Sequence, residues 1–257
     1  MDTITILLNE RYRITYSKEF FLGKGSFGIV VKGIDTKNNN TPVAVKHLSI
    51  EEMAKDGGGE YMVNALKKEL EILKIVDCPY STRLIDWFLS KDYIYIVMEL
   101  CDGDLDEELI KRNQPFDVKT VKKIMNQLNQ AFYIMYENKI MHRDLKLQNI
   151  FIKYTNPSKT EFDVKLGDYG FSTVSEDDVA KTLVGTPITM APEVFDGELY
   201  SSKADLWSIG IIIHMLHFAK LPFPFLNPLQ YRLTLEIFKP NFKSEDPDLN
   251  NLLSKLI

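Results

Sequence analysis

The change of secondary-structure pattern near residue 100 is the feature that most constrains the fold of this 257-residue chain. Before it, short segments rich in β-branched and aromatic residues alternate with turn signals, which is the pattern of β-strands. The predicted strands are "FFLGKG", "SFGIVVKGI", "TPVAVKHL", "STRLIDWFL" and "YIYIVMEL". One helical pattern interrupts them, with apolar residues three or four apart at Val63, Leu66, Leu70 and Leu73.

Helical periodicity dominates the rest of the chain. An apolar stripe from Val121 to Met135 predicts one long helix, and a second strong helix is predicted from about Ser201 to Phe218. A sheet-rich part therefore precedes a helix-rich part, and the two join near residues 99–103. This order predicts an α+β fold with two lobes.

Composition narrows the functional classes. Apolar residues make up 45% of the chain and charged residues 26%, the balance of a globular protein with a sizeable core. A net charge of −5 argues against a nucleic-acid partner. The longest apolar run, "LWSIGIIIHMLHF", is too short to span a bilayer, so we expect no membrane insertion. With only Cys78 and Cys101 and no signal-peptide pattern, we expect a soluble protein of the cytoplasm.

The segment "LGKGSFGIV" holds Gly23, Gly25 and Gly28 between two strand patterns. Glycine lets backbone amides approach a phosphate closely, but an ordinary β-hairpin turn explains the same residues equally well. A dinucleotide-binding fold is disfavoured because the segment that follows has a strand pattern and not a helical one. A Walker-type nucleotide-binding enzyme is disfavoured because the GK[ST] ending is missing.

Lys46 ends the apolar segment "PVAVK". A lone lysine of this kind usually lies on an edge strand with its amine in solvent, but the preceding residues 43–45 indicate a buried strand. A buried lysine needs an anionic partner. Glu69 in the predicted N-terminal helix is one candidate, and Glu71 competes with it on sequence alone.

Two charged segments are candidates for chemistry. The segment "MHRDLKLQN" (141–149) concentrates charge beside apolar runs, so it forms a solvated loop or meets a highly charged ligand. In "VKLGDYGFS", Asp168 follows a strand-like run, and a hard carboxylate at a strand end suits Mg²⁺. Taken alone, this aspartate would be better explained as the start of an ordinary turn.

These motifs follow one order: a glycine-rich hairpin, a strand lysine, a helix glutamate, "HRDLKLQN", "DYG", "GTPITMAPE" and "DLWSIG". The ordered set covers almost the whole chain and resembles the signature of eukaryotic protein kinases. Lys146 together with "GTPITMAPE" is similar to serine/threonine kinases, and "TPVAVK", "VMELCDGDL" and "KADLWSIG" resemble the autophagy-initiating, ULK-like kinases. The resemblance implies a two-lobed kinase fold, ATP and Mg²⁺ as ligands, and phosphotransfer to serine or threonine hydroxyls of protein substrates.

The resemblance gives roles to the charged loop. Asp144 would accept or orient the proton of the substrate hydroxyl, and Lys146 would meet the γ-phosphate. Asn149 and Asp168 would hold Mg²⁺. The dense charge of the loop would then be matched by triphosphate and metal. For His142 we expect a core imidazole that positions the loop and not a catalytic base.

The resemblance also implies a set of ATP-binding residues. Lys46 would hold the α- and β-phosphates, with Glu69 as its partner. Met98 falls at the gatekeeper position, and Glu99 and Cys101 fall on the hinge, whose backbone would meet adenine. The remaining expected contacts are loop glycines and apolar residues around the purine: Leu22, Gly23, Gly25, Gly28, Val30, Ala44 and Phe151.

Regulatory and bracing residues follow by position. Arg143 directly precedes Asp144. Kinases that have an arginine before the catalytic aspartate are often activated when a phosphate on the activation loop completes an arginine cluster. Thr182 is the best candidate for the phosphate acceptor. Thr186 resembles the structural threonine that bonds near the catalytic aspartate and lysine, and Asp205 resembles the aspartate that braces the catalytic-loop backbone.

Two departures from the family pattern matter. "DYG" replaces the commoner DFG, and the tyrosine, Tyr169, is tolerated if its hydroxyl finds a partner. Kinases usually continue through a final helix whose arginine pairs with the glutamate of "APE", here Glu193. We expect that helix to be missing and the C-lobe to be truncated. The loss of one partner of a buried ion pair costs about 3–5 kcal/mol.

We therefore predict one kinase domain over residues 1–257, with an N-lobe of about 12–98, a hinge of about 99–103 and a C-lobe of about 104–257. The alternative function is an ATP-binding pseudokinase or scaffold that the truncated C-lobe leaves inactive. Pseudokinases typically lose Lys46, Asp144 or Asp168, and this chain retains all three residues. The active enzyme is the favoured class.

Overall fold

The computed structural model describes residues 4–25, 28–55, 59–175, 179–224, 227–237 and 242–257. The chain divides into two compact units. The first unit comprises Met1–Asp77 and Thr82–Cys101, and the second comprises Cys78–Ser81 and Asp102–Ile257. The short segment Cys78–Ser81 thus belongs to the second unit, although elements of the first unit precede and follow it in the sequence.

The described residues of the first unit form seven strands and two helices: β1 (Ile4–Leu8), β2 (Tyr12–Tyr16), β3 (Phe21–Gly25), β4 (Gly28–Asp35), β5 (Thr41–Ser49), α1 (Ile50–Lys55), α2 (Gly59–Ile75), β6 (Leu84–Leu89) and β7 (Tyr93–Glu99). The strands make one antiparallel sheet in the order β1-β2-β4-β5-β7-β6, with β3 paired to β4. The five predicted strands are confirmed as β3 to β7, and the predicted helix is confirmed as α2. The hairpin of β1 and β2 and the helix α1 are additional.

The hairpin of β1 and β2 contributes to the core of the first unit. Its residues Tyr12 and Ile14 are completely buried. They belong to one hydrophobic cluster with Val45 of β5 and Val97 of β7. The hairpin therefore covers one face of the central strands and excludes water from it.

Polar contacts fix the same hairpin at its turn. Arg11 donates two hydrogen bonds to Asp35 at the end of β4, with lengths of 2.8 and 2.6 Å. The Arg11 guanidinium holds the pKa of the buried Asp35 carboxyl below its ordinary value. Tyr12 donates its hydroxyl to Asp86 of β6 at 2.9 Å. Strands far apart in the sheet order are thus tied to one turn.

The described residues of the second unit form five strands and six helices: β8 (Gly103–Asp104), α3 (Leu105–Arg112), α4 (Val118–Glu137), β9 (Ile140–Met141), β10 (Ile150–Tyr154), β11 (Phe162–Leu166), β12 (Thr173–Val174), α5 (Pro192–Phe195), α6 (Lys203–Phe218), α7 (Pro228–Ile237) and α8 (Pro247–Leu256). The strands pair in the order β11-β10-β8 and, separately, β12-β9. Single 3₁₀ turns lie at Leu147–Asn149, Tyr169–Phe171 and Pro187–Thr189. The two predicted helices are confirmed as α4 and α6, and with them the α+β class.

Helices α4 and α6 form the core of this unit in different ways. Asp117 caps α4 by accepting a hydrogen bond from the Thr120 amide at 2.7 Å. The apolar stripe of α4 is buried along one face from Val121 to Met135. Helix α6 is apolar on nearly all sides, as expected for a helix that is mostly buried. In the part of the chain that the structure describes, no helix is long and apolar enough to cross a membrane.

Candidate active site

The segment between β9 and β10 brings three predicted site residues into contact. Asp144 is 2% exposed. Its Oδ2 accepts hydrogen bonds from Lys146 Nζ at 2.8 Å and from Asn149 Nδ2 at 3.0 Å. Asn149 Nδ2 also donates to the Asp144 carbonyl at 2.8 Å. One carboxylate thereby fixes the orientation of an amine and an amide on the same loop.

A second segment reaches the same carboxylate. Thr186 donates its hydroxyl to Asp144 Oδ1 at 2.6 Å and accepts a hydrogen bond from Lys146 Nζ at 3.1 Å. Gly185, which precedes it, has a φ of +113°, and a Cβ there would lie 2.4 Å from the Arg143 carbonyl oxygen. Only glycine allows this close approach, so Gly185 lets the segment dock against the loop.

Asp205 of α6 holds the start of the loop. Its two carboxylate oxygens accept hydrogen bonds from the backbone amides of His142 at 2.7 Å and Arg143 at 2.9 Å. Arg143 has a φ of +68°, a left-handed conformation that is unfavourable for a side chain other than glycine. The two bonds compensate for that strain. Burial raises the pKa of Asp205, while the two amide donors and the neighbouring His142 and Arg143 oppose the shift.

His142 connects the loop to the segment that carries Asp168. The imidazole is completely buried, and its Nε2–H donates to the Gly167 carbonyl at 3.1 Å. Its ring centroid lies 5.3 Å from that of Tyr169. The Gly167 amide in turn donates to the Asn149 carbonyl at 3.0 Å. Residues 142, 149 and 167 therefore hold the two segments together.

Asp168 and Tyr169 differ in exposure although they are neighbours. Asp168 has an exposed side chain and a left-handed backbone, with a φ of +56°. Tyr169 is 1% exposed, and its hydroxyl lies 2.7 Å from Ser81 Oγ. Burial raises the pKa of the Tyr169 hydroxyl above its ordinary value. Ser81 is therefore the hydroxyl partner that the sequence analysis required for a tyrosine at this position.

In the first unit, Lys46 and Glu69 form an ion pair. Lys46 Nζ lies 2.6 Å from Glu69 Oε1, and the two side chains are 18% and 11% exposed. Glu71 is exposed, so Glu69 is the partner of the two candidates. Val45 belongs to the hydrophobic cluster of the hairpin, and Lys46 lies on the opposite face of β5 because side chains alternate along a strand.

The glycine-rich segment is the hairpin of β3 and β4, and it carries Leu22, Gly23, Gly25, Gly28 and Val30. A Cβ on Gly28 would lie 1.8 Å from the His47 carbonyl oxygen, so close strand packing requires this glycine. No described atom lies within 4 Å of a Cβ built on Gly23. The two glycines therefore differ, because Gly23 leaves space beside the backbone and Gly28 does not.

Strand pairing places the other residues predicted to contact ATP. Ala44 of β5 lies opposite Met98 of β7. Glu99 ends β7, and its Oε1 accepts a hydrogen bond from the Arg83 amide at 2.8 Å. Cys101 follows outside the regular strands of the first unit. Phe151 lies on β10 and is the member of the set that belongs to the second unit.

The predicted regulatory residues lie on the same unit as the loop. Thr182 has an exposed side chain, and its carbonyl accepts a hydrogen bond from the Tyr200 hydroxyl at 2.7 Å. Arg143 Nε donates to the Phe171 carbonyl at 2.7 Å. Glu193 lies half-buried in the first turn of α5.

The oxygen ligands offered by Asn149 and Asp168 suit a hard cation. The Asn149 amide nitrogen is used for Asp144, which leaves the amide oxygen as an acceptor. The exposed Asp168 carboxylate supplies a second type of oxygen ligand. Among the described residues there is no cluster of three or more His, Cys, Asp or Glu side chains able to hold a metal. Mg²⁺ needs only one or two protein carboxylates when phosphate supplies the other oxygens, so these residues fit Mg²⁺.

Sequence reasoning missed two contributors to this site. Gly185 had a weak signal, because glycine is the usual residue where backbone approaches another segment closely. Ser81 had none, because it lies 88 residues before Tyr169 and no local pattern links the two positions.

Comparison with known proteins agrees with the geometry. The chain is 34% identical over 255 residues to serine/threonine-protein kinase unc-51 of Caenorhabditis elegans, covering 94% of this chain and 29% of the relative. It is 35% identical to serine/threonine-protein kinase 33 of Bos taurus, covering 79% and 42%. It is 32% identical to serine/threonine-protein kinase ULK1 of Homo sapiens, covering 87% and 21%. The chain thus spans less than half the length of these relatives.

The family model of the protein kinase domain matches residues 16–257. This match contains the lysine and glutamate pair of the first unit and the hydrogen-bonded loop of the second. Because it extends over nearly all of the sequence, the chain belongs to the protein kinase family.

Proposed function

We propose that this chain is a serine/threonine kinase domain that transfers the γ-phosphate of ATP to a serine or threonine hydroxyl of a protein substrate. One observation carries the proposal: Asp144 accepts hydrogen bonds from Lys146, Asn149 and Thr186 at 2.6–3.0 Å. Phosphoryl transfer needs little covalent help and depends on positioning and on charge compensation. The three hydrogen bonds position the Asp144 carboxylate, and the neighbouring Lys146 amine supplies positive charge.

In the proposed reaction Asp144 orients the substrate hydroxyl and takes its proton. The hydroxyl oxygen forms a bond to the γ-phosphorus while the bond from that phosphorus to the β,γ-bridging oxygen breaks, and ADP leaves with the electron pair. Lys146 stabilises negative charge on the transferring group. Because Lys146 Nζ bonds both Asp144 and Thr186, its amine is already oriented before substrate binds.

Other residues take the roles that their chemistry supports. Lys46, oriented by Glu69, neutralises the α- and β-phosphates. Asn149 and Asp168 are the residues that would hold Mg²⁺. When bound, Mg²⁺ neutralises phosphate charge and fixes the orientation of the transferred group. The loop glycines and the apolar residues of β3 to β5 form the nucleotide-facing set, with Gly23 as the position where backbone can approach phosphate.

We further propose regulation by phosphorylation of Thr182. Its side chain is exposed, and Arg143 is a cation on the neighbouring loop that a phosphate could recruit. The proposal extends to the domain limits predicted from the sequence and to a cytoplasmic location. The two cysteines are not joined in a disulfide, which suits a reducing compartment. A role in initiating autophagy is proposed only by likeness to unc-51 and ULK1.

The pseudokinase alternative has less support. A pseudokinase typically lacks at least one of the charged groups that bind nucleotide or metal. Here Lys46, Asp144 and Asp168 are present, and the first two are already hydrogen-bonded or ion-paired to their expected partners. No observation favours an inactive scaffold.

The test is transfer of labelled γ-phosphate from ATP and Mg²⁺ to a generic protein substrate. Asp144→Ala should abolish labelling, whereas Asp248→Asn, at an exposed aspartate in α8, should leave the rate unchanged. Circular dichroism of each variant would verify the fold. Folded wild-type protein that binds ATP but transfers no phosphate would refute the kinase proposal and favour the pseudokinase.

A further inference from the structure

We propose that Ser81 is a positioning residue for Asp168, which it acts on through the hydroxyl of Tyr169. The inference rests on the proposed function, because it concerns the residue proposed to hold Mg²⁺. Ser81 lies far from the loop in sequence, in the segment Cys78–Ser81, which belongs to the second unit.

The contact between the two hydroxyls is buried on both sides. Ser81 and Tyr169 are each 1% exposed, and their oxygens lie 2.7 Å apart. The Leu166 carbonyl lies 3.5 Å from the tyrosine hydroxyl, at the limit of a hydrogen bond. Ser81 is therefore the main partner of a polar group that has no access to water.

The backbone around Ser81 is itself fixed. Ser81 forms a parallel bridge with Leu166 at the end of β11. The Leu166 amide donates to the Tyr80 carbonyl at 2.8 Å, and Lys165 Nζ donates to the Pro79 carbonyl at 2.7 Å. The serine hydroxyl is thus presented from a rigid support and not from a mobile loop.

Asp168 depends on its neighbours for its position. Its backbone is left-handed, and its carboxylate makes no hydrogen bond with the residues that the structure describes. On one side, Gly167 is held by Asn149 and His142. On the other side, the side chain of Tyr169 is the buried anchor. The buried ring of Tyr169 is therefore the second of two points that hold Asp168, and Ser81 keeps that ring in place by satisfying its hydroxyl.

A specific pattern follows from this arrangement. Ser81→Ala leaves the Tyr169 hydroxyl buried with only its 3.5 Å contact to the Leu166 carbonyl, so the ring shifts to find a partner and Asp168 shifts with it. Tyr169→Phe removes the hydroxyl and with it the need for Ser81. The double variant should therefore be closer to the wild type than Ser81→Ala is, although it carries one more substitution.

The experiment compares the wild type, Ser81→Ala, Tyr169→Phe and the double variant by two measurements. Amide hydrogen exchange of the peptide covering residues 166–172 reports how firmly the segment is held, without any need for activity. The Mg²⁺ concentration that gives half-maximal phosphate transfer reports the metal site. Ser208→Ala, which removes a buried hydroxyl bonded to the Thr189 carbonyl at 2.7 Å, is the control for general destabilisation.

We expect Ser81→Ala to speed exchange of this peptide and to raise the half-maximal Mg²⁺ concentration by about tenfold. The double variant should return to within about twofold of the wild type, and Ser208→Ala should leave the Mg²⁺ requirement unchanged. A double variant as impaired as Ser81→Ala would overturn the proposal. So would an unchanged Mg²⁺ requirement in Ser81→Ala, or normal exchange in that variant.

The two proposals fail in different ways. If the wild type transfers no phosphate, the proposed function is wrong, and the exchange measurement with its recovery in the double variant still decides whether Ser81 positions the segment. If the wild type is active and Ser81→Ala behaves like it in both measurements, only the inference about Ser81 is wrong.

Discussion

Thr186 and Asp144 share a hydrogen bond of 2.6 Å that joins the segment after Gly185 to the charged loop. The same threonine oxygen accepts from Lys146 at 3.1 Å. Thr186→Ala should therefore lower kcat by roughly tenfold to a hundredfold, because misplaced catalytic groups lose that much rate. Thr186→Ser keeps the hydroxyl and should retain most of the activity. Steady-state kinetics at saturating ATP would check this, and a full rate in Thr186→Ala would contradict it.

Asp168→Asn should remove Mg²⁺-supported transfer and leave the fold intact. The side chain is exposed, and asparagine tolerates the left-handed backbone at this position. We expect a loss of activity on the order of a thousandfold. The melting temperature should change by less than about 2 °C. Undiminished transfer with normal dependence on Mg²⁺ would exclude this residue from the metal site.

Lys46→Met should cost stability as well as activity. The substitution removes the partner of Glu69, whose side chain is only 11% exposed. The unpaired carboxylate should lower the free energy of unfolding by about 1–3 kcal/mol. Adding Glu69→Leu should restore most of that stability while transfer stays absent. Urea unfolding of the single and double variants would measure the first effect, and equal stability of the two would argue against a buried pair.

The ion pair of Arg11 and Asp35 should make stability depend on pH. Because the folded-state pKa of Asp35 lies below its unfolded value, the pair stabilises the fold above the unfolded aspartate pKa of about 3.9. That contribution is lost as the pH falls through the lower folded pKa. Arg11→Gln should therefore be less stable than the wild type at pH 7, and the difference should shrink below about pH 4.

Urea unfolding between pH 7 and pH 3 would measure the effect of the Arg11 substitution. Arg13→Gln, at an exposed arginine of the same hairpin, is the matched control and should show no such convergence. A difference between Arg11→Gln and the wild type that stays constant with pH would show that Asp35 does not titrate with the pair.

Thr182→Ala should abolish activation by phosphorylation without changing the fold. The side chain is exposed, and the contact with Tyr200 uses the backbone carbonyl of residue 182 and not its hydroxyl. The variant should have the rate of phosphatase-treated wild type, with the phosphorylation state read by mass spectrometry. Equal rates for the phosphorylated wild type and Thr182→Ala would remove this residue from regulation.

Periodicity predicted the strands β3 to β7 and the helices α2, α4 and α6, because each pairs a strong pattern with adequate length. The hairpin of β1 and β2 gave no comparable signal. Its turn uses Asn9 and Glu10 with φ values of 48° and 51°, where the usual hairpin signal has glycine. The stability of this turn comes from burial of Tyr12 and from Arg11, which are tertiary contacts that no local pattern contains.

The site divides in the same way. The order of the motifs gave the residue types of the loop, but contacts across the chain decided which groups meet. Lys46 had two candidate partners until the structure singled out Glu69. Ser81 could not be connected to Tyr169 at all, because two hydroxyls 88 residues apart meet only through the packing of their backbones.

The hairpin of β1 and β2 ends at Tyr16, the residue at which the match to the kinase family begins. A fragment cut at this homology boundary would lose both strands, including the completely buried Tyr12 and Ile14. It would expose the apolar face formed by Val45 and Val97, and it would open the edge of β4 to pairing with other molecules. Such a fragment would aggregate for reasons unrelated to catalysis, and its inactivity would be mistaken for a property of the enzyme.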